Sequence, residues 1–226
     1  MNPSDLLKYD IRVIRALDIS ERDLTVIHDL FDQNYRQANH GYLNQSFGKL
    51  RFIALAYDRE RPIGFALGDA VRTPLPRMIE PQCVILAGIC CISPDYRRQG
   101  LFSYLESKAI QESGVLLEPA NRILACGRMA HPASFRIMTR NPTVVPKHNV
   151  PPTEWQQEVG LRVAELYGVD LDPETFVVRG KGSPIGYPKM EIQVNEDEWL
   201  PFRPVNRDRG DSLLGISWSP DAPEGW

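Results

Sequence analysis

The sequence lacks the features by which metal sites, membrane spans and nucleic-acid surfaces are recognised. Its four cysteines lie in apolar runs and none forms a C-x-x-C pair, so buried reduced thiols are favoured over a zinc site. No apolar run reaches the roughly 18–20 residues of a membrane span, and residues 1–8 lack the layout of a signal peptide. The formal net charge of −3 gives no broad basic surface for nucleic acid. We therefore expect a cytoplasmic protein with no metal, membrane or nucleic-acid partner.

Segments of strand and helix character alternate along the first 142 residues. Ser20 and Asp23 resemble a helix cap, and the charged turn at 58–62 between two apolar runs predicts an antiparallel hairpin. The predicted strands are 9–17, 50–57, 63–71, 83–92 and 122–128. The predicted helices are 21–34, 101–113 and 131–138, with a second short helix between 34 and 47.

The sequence changes character after residue 141, because 11 of the 19 prolines lie in the last 85 residues. One helix is predicted between Thr153 and Gly168, and the candidate strands are 175–179, 189–194 and 212–218. We expect two parts, a core at 1–142 and an extension at 143–226 that packs on the core and completes the acceptor side. Its aromatic residues favour core packing over lining a pocket; they are Trp199, Phe202 and Trp218.

The segment from Ser93 to Phe102 is the part of the sequence whose residues indicate a specific function, the binding of an anion. It follows the apolar run 83–92 and precedes an amphipathic segment, so a strand should end in a loop from which a helix begins. Helix starts expose backbone N–H groups and the positive end of the helix dipole. Gly100 permits close approach to them, and Arg97 and Arg98 add charge. This arrangement suits a pyrophosphate.

The order of elements and this loop resemble the GNAT superfamily of acyl-CoA-dependent N-acyltransferases over roughly residues 9–142. The family motif R/Q-x-x-G-x-G/A, preceded by P-E/D-Y, corresponds here to residues 94–102, with Phe102 in place of the final small residue. The resemblance implies a mixed α/β fold with a mostly antiparallel central sheet flanked by helices, to which the extension adds a helix and further strands.

The resemblance also implies acetyl-CoA or another acyl-CoA as co-substrate. Backbone N–H groups from Arg98 to Phe102 would hold its pyrophosphate, and the strand around Cys90–Ile92 would pair with pantetheine. The implied contacts are Cys91, Ile92, Arg97, Arg98, Gln99, Gly100, Leu101, Phe102 and Ser134.

The acid and base positions that are familiar in this family hold residues unable to perform those roles. Met138 stands where the family commonly has a tyrosine acid, Leu86 stands at one base position, and Cys126 or Gly127 stands at another. The candidates for the missing roles are His131, Tyr35 and His40, with Tyr42 beside them in the sequence. For His131, a helix cap is the alternative, because Pro132 follows it. Cys91 or Cys126 as a nucleophile is a further alternative.

The resemblance implies transfer of an acyl group, most commonly acetyl, to a primary amine by direct attack on the thioester. A small-molecule amine is favoured over a protein lysine as acceptor, and a homodimer is left open. The alternatives are an acyl-CoA hydrolase or decarboxylase, and a CoA-binding sensor or scaffold without activity.

Overall fold

The computed structural model describes residues 6–117, 120–190 and 192–226. In chain order, the strands and helices of its first half are β1 (Asp10–Arg15), α1 (Glu21–Asn34), β2 (Tyr35–Arg36), α2 (His40–Phe47), β3 (Phe52–Asp58), β4 (Arg61–Thr73), β5 (Gln82–Ile92) and α3 (Leu101–Gln111). The second half contains β6 (Ile123–Met129), α4 (Pro132–Thr139), α5 (Glu154–Tyr167), β7 (Leu171–Asp172), β8 (Val177–Val178), β9 (Tyr187–Pro188) and β10 (Ser212–Ser219).

The described residues form two compact units. The first contains residues 6–70, 87–114 and 185–190, and the second contains 71–86, 115–117, 120–184 and 192–226. β4 and β5 each belong partly to both units. The predicted division at residue 142 stays a prediction.

The strand order in the first unit is β1-β3-β4-β5. β3 is antiparallel to both β1 and β4. A separate antiparallel pair joins β2 to β9, with Tyr35 opposite Pro188. The apolar face of α3 contributes Leu101, Leu105 and Ala109 to a core that includes residues of β3, β4 and β5.

The second unit has the order β5-β6-β10-β8-β7. β10 runs antiparallel to both β6 and β8, so a strand of the extension completes this part of the sheet. Trp218 on β10 is fully buried and Phe202 is 3% exposed, which confirms the predicted core packing of these two. The predicted mixed α/β class with a mostly antiparallel sheet flanked by helices is confirmed.

Local capping chemistry explains why the helix boundaries were predictable. The Ser20 hydroxyl accepts a hydrogen bond from the Asp23 N–H at 3.1 Å and so caps α1. Thr153 and Gln156 form a reciprocal capping box at the start of α5. Gly168 ends that helix with a φ of +60°, a left-handed conformation that glycine adopts without steric cost.

Two predicted strands differ from the structure. The predicted strand 175–179 is reduced to the two residues of β8, because Phe176 has a φ of +59° and interrupts extended backbone. The described residues of the predicted strand 189–194 form no strand, and Glu191 lies outside the description. The pairing there falls earlier, in β9, after which the Lys189 N–H donates to the Asn34 carbonyl.

No helix in the described ranges is long and apolar enough to cross a membrane. Residues 1–5, which include most of the segment tested for a signal peptide, lie outside the description.

Candidate functional site

The loop between β5 and α3 presents backbone N–H groups at a helix start. A single 3-10 turn at Pro94–Tyr96 leads into Arg98, with a φ of +60°, and Gly100, with a φ of +77°. α3 begins at Leu101, and no side chain caps it. Its first N–H groups therefore have no partner within the helix, since the intrahelical bonds begin with the Tyr104 N–H to the Gly100 carbonyl at 3.1 Å.

Side-chain contacts within the first unit fix this loop in place. The Tyr96 hydroxyl donates to Asp58 at 2.8 Å, and Arg61 reaches Asp95 at 3.3 Å. Gln99 donates to the Asp95 carbonyl at 3.1 Å. It also accepts a hydrogen bond from the Tyr9 hydroxyl at 3.2 Å.

Arg97 is part of the same framework. Its Nε donates to the Ile92 carbonyl at 3.0 Å, and its Nη2 donates to Asn34 Oδ1 at 2.7 Å. The guanidinium thus ties the end of β5 to the end of α1. The sequence predicted that Arg97 adds charge to a bound anion, and the structure shows it bonded inward.

Unlike Arg97, Arg98 has no hydrogen bond from its guanidinium to the described residues. Its side chain is exposed, and the described residues form no ion pair or hydrogen bond with its guanidinium. Of the two loop arginines, Arg98 is the one available to an anion at the start of α3. Leu101 is 1% exposed, and Phe102 packs against the core at the position where the motif usually has a small residue.

Tyr35 directly follows α1 and lies near Cys90 and Cys91 of β5. Its ring packs against Phe31 with centroids 4.8 Å apart. Burial raises the pKa of its phenol, and the neighbours that raise it further include Cys91 and Cys90. No hydrogen bond to its hydroxyl occurs within the described residues. A protonated phenol is thereby held beside the strand that the resemblance assigns to pantetheine.

His40 lies on the surface of the first unit, at the start of α2. Its Nε2 is 2.7 Å from Asp32 Oδ1, and its ring stacks on His28 with centroids 4.1 Å apart. Both ring contacts are with residues of α1. His40 therefore contributes to the packing of α1 against α2, and its catalytic role stays a prediction.

His131 and Ser134 lie in the second unit, at the start of α4. The His131 Nδ1 accepts a hydrogen bond from the Ala133 N–H at 3.1 Å, which is the capping role that the following proline favoured. The ring also contacts Trp199 edge-on, with centroids 5.0 Å apart. The catalytic role of His131 and the cofactor contact of Ser134 stay predictions.

The residues at the familiar acid and base positions are buried. Leu86 is 2% exposed, Cys126 3% and Met138 9%. All four cysteines are free. Burial raises the pKa of Cys91 and of Cys126, so both stay thiols at neutral pH and the geometry gives no support to a cysteine nucleophile.

Sequence reasoning missed Glu106, a half-buried residue on α3. It lies one turn after Phe102 and one turn before Ile110, beside the buried Leu105 and Ala109. Burial raises the pKa of its carboxyl to about 7. The available signal was a charged residue on the apolar stripe of an amphipathic helix.

The described ranges contain no group of three or more His, Cys, Asp or Glu residues that could hold a metal ion.

No protein-family model and no curated protein sequence matches the chain. Similar solved structures include the ribosomal-protein-S18-alanine N-acetyltransferase from Escherichia coli, with 11% identity, 96% of this chain and 99% of that chain covered, and a TM-score of 0.42. Another is a GNAT-family acetyltransferase from Streptococcus pneumoniae, with 19% identity, coverages of 47% and 68%, and a TM-score of 0.33. A third is an aminoglycoside N-acetyltransferase in complex with CoA, with 15% identity, coverages of 58% and 82%, and a TM-score of 0.39.

Proposed function

We propose that this protein is an acyl-CoA-dependent N-acyltransferase of the GNAT type, with acetyl-CoA as the favoured donor. The main support for the proposal is the loop at residues 94–102. Side-chain hydrogen bonds hold this loop, and no side chain caps the N–H groups at the start of α3. The order of strands and helices around this loop supports the same function.

The residues of the loop fit a pyrophosphate. Three features lie within a few residues of one another. They are the N–H groups of the first turn, which have no partner within the helix, the positive end of the α3 dipole, and the exposed side chain of Arg98. Among the described residues, a Cβ added at Gly100 would meet only Leu6, at 3.8 Å, so none of them crowds the loop backbone at this point. The donor would therefore be held chiefly by backbone groups, with charge from Arg98.

Tyr35 is the residue that we propose as the general acid. Departure of the thiolate requires a proton, and the thioether of Met138 cannot donate one. The Tyr35 phenol lies near Cys90 and Cys91 and is protonated at neutral pH. Burial raises its pKa and so weakens it as an acid, which means that it would release its proton only as the charge on the departing sulfur develops. By donating its proton to the thiolate, Tyr35 would act as the general acid in place of the tyrosine that the family commonly has at the position of Met138.

The proposed acceptor is a primary amine, and a small molecule is favoured because the extension of about 80 residues in the sequence is expected to enclose the acceptor side. Among the similar structures, one acts by its name on an aminoglycoside and another on a ribosomal protein. The first experiments should include both kinds of acceptor.

Two measurements test the proposal. Calorimetric titration should show CoA binding at least about tenfold more tightly than pantetheine, because only CoA brings the pyrophosphate to the loop. Mass spectrometry should then show an N-acetyl product when the protein is incubated with acetyl-CoA and a panel of small amines and N-terminal peptides. Equal affinity for the two ligands would contradict the proposed site. Release of free thiol without any amine would favour the hydrolase.

A further inference from the structure

A small cavity lies in the second unit, between the segment that contains β7 and β8 and the loop that precedes β10. Its volume is about 270 Å³, just below the range of roughly 300–1,000 Å³ that drug-sized ligands occupy. It is therefore large enough for a small organic molecule. The residues that line it are Asp172, Thr175, Val177, Arg179, Pro204 and Arg209.

Two arginines from different segments line this cavity, and a carboxylate holds each of them. The Arg209 Nε donates to Asp211 Oδ1 at 2.8 Å, and its Nη2 donates to the second oxygen of the same carboxylate. The Arg179 Nη2 donates to Asp172 Oδ2 at 3.2 Å. Both guanidiniums are therefore oriented by the protein before any ligand arrives.

Asp211 also fixes the wall of the cavity. Its side chain is fully buried. One oxygen accepts a hydrogen bond from the Gly180 N–H at 2.7 Å, and the other accepts one from the Asn206 N–H at 3.1 Å. The carboxylate thus joins the segment after β8 to the loop before β10, the two segments that carry the arginines. A site held in this way loses little conformational freedom when it binds a ligand.

Both guanidiniums retain donors for a ligand. The described residues form no hydrogen bond with Nη1 of Arg209, nor with Nε or Nη1 of Arg179, and the two side chains are 51% and 58% exposed. Asp172 and Asp211 offset the two positive charges one for one. A ligand group with a single negative charge disturbs this balance less than a phosphate, which carries about 1.5 to 2 charges.

We propose that this cavity binds the carboxylate of a small organic molecule, with Arg179 and Arg209 as the two anchors. Guanidinium and carboxylate match because paired N–H donors face the two oxygens. Val177 and Pro204 supply apolar surface for the hydrocarbon part of the ligand. None of these residues belongs to the loop at 94–102, so the inference does not depend on the proposed function.

The first test compares carboxylates with their uncharged amides in nitrogen-15 NMR titrations of the wild-type protein. Benzoate and butyrate should shift backbone amides within residues 172–179 and 205–211, with a Kd of about 1 mM for the better of the two. Benzamide and butyramide should leave those amides unshifted at the same concentrations, and inorganic phosphate should bind more weakly than the better carboxylate. Absence of shifts with both carboxylates, or equal shifts with the amides, would overturn the inference. Tighter binding of phosphate would overturn the assignment of a carboxylate.

Substitutions separate ligand binding from a purely structural role of the ion pairs. Arg179→Gln should raise the Kd for the better carboxylate about tenfold, with little change in stability because its ion pair is largely exposed. Arg203→Gln removes an exposed charge beside Pro204 but outside the lining, and is the matched control that should keep the wild-type Kd. Arg209→Lys should also weaken binding, and it leaves a cation next to the buried Asp211. A wild-type Kd in Arg179→Gln would overturn the inference.

Discussion

The loop before α3 and the surroundings of the strand that precedes it differ in whether their polar side chains have hydrogen-bond partners. In the loop, Tyr96, Arg97 and Gln99 each have hydrogen-bond partners within the first unit. Beside the strand, Tyr35 and Glu106 are half-buried, and their side chains have no hydrogen-bond partner among the described residues. Partnered groups hold a shape, whereas unpartnered buried groups reduce stability.

This difference separates residues that contribute to binding of the donor from residues that contribute to the chemical step. The loop side chains fix the backbone that would bind the donor, so their loss should change affinity and stability. The Tyr35 hydroxyl forms no hydrogen bond with the described residues, so its loss should change the rate of the chemical step rather than the shape of the site. Substitutions in the two regions should therefore affect different measured quantities.

The largest effect is expected for Tyr35→Phe. Removal of the phenol proton should lower kcat about 100-fold, because the thiolate would leave unprotonated. Affinity for CoA and the free energy of unfolding should stay near the wild-type values, since the hydroxyl has no hydrogen-bond partner in the structure. Steady-state kinetics and calorimetry measure both quantities, with Tyr104→Phe as the control. A wild-type kcat would remove Tyr35 from the mechanism.

A smaller effect of the other kind is expected for Arg97→Gln. Loss of the bonds to Ile92 and Asn34 should lower the free energy of unfolding by about 1.5–3 kcal/mol and raise the Kd for CoA about tenfold, with kcat little changed. Arg98→Gln is the matched control, because its exposed guanidinium has no hydrogen-bond or ion-pair partner in the described residues. That variant should keep its stability and lose affinity in a salt-dependent way. An equal loss of stability in the two variants under urea would contradict the assignment of a structural role to Arg97 and of anion binding to Arg98.

The smallest effect is a gain in stability for Glu106→Leu. Because burial raises the pKa of this carboxyl from 4.5 to about 7, the folded protein binds the proton more tightly than the unfolded chain. The destabilisation that this carboxyl causes should therefore be absent below about pH 4.5 and grow as the pH rises to about 7. At pH 8 the variant should gain about 1–2 kcal/mol over the wild type, and the gain should vanish near pH 4. Urea unfolding between pH 4 and pH 8 measures this gain. A difference in the free energy of unfolding that does not change with pH would contradict the burial of the Glu106 charge.

The helices and long strands could be predicted because their signals are local. Ser20 and Thr153 cap the helices they precede, and Gly168 ends the helix before it. The lengths and pairings of the short strands could not be predicted, because they depend on single backbone angles such as the φ of Phe176 and on pairing with distant segments. Residues 177–178 lie within a predicted strand that is longer, and residues 187–188 lie outside every predicted strand.

The candidate site was predictable in its location and less so in its details. The glycine and the arginines identified the loop, but sequence could not distinguish the inward-bonded Arg97 from the exposed Arg98. Tyr35 was one of several aromatic candidates, and only its packing beside Cys91 separates it from His40. Glu106 required knowledge of which face of α3 is buried. The identification of the proposed acid and of the buried carboxyl therefore depends on tertiary structure in a way that the loop does not.

The most direct test of the central claim is a nitrogen-15 NMR titration of the wild-type protein with CoA. The account predicts that the largest shifts occur at the backbone amides of residues 98–103, and that pantetheine leaves those amides unshifted while affecting the strand at 90–92. Binding of CoA with the largest shifts outside residues 87–114, or no binding at millimolar CoA, would contradict it.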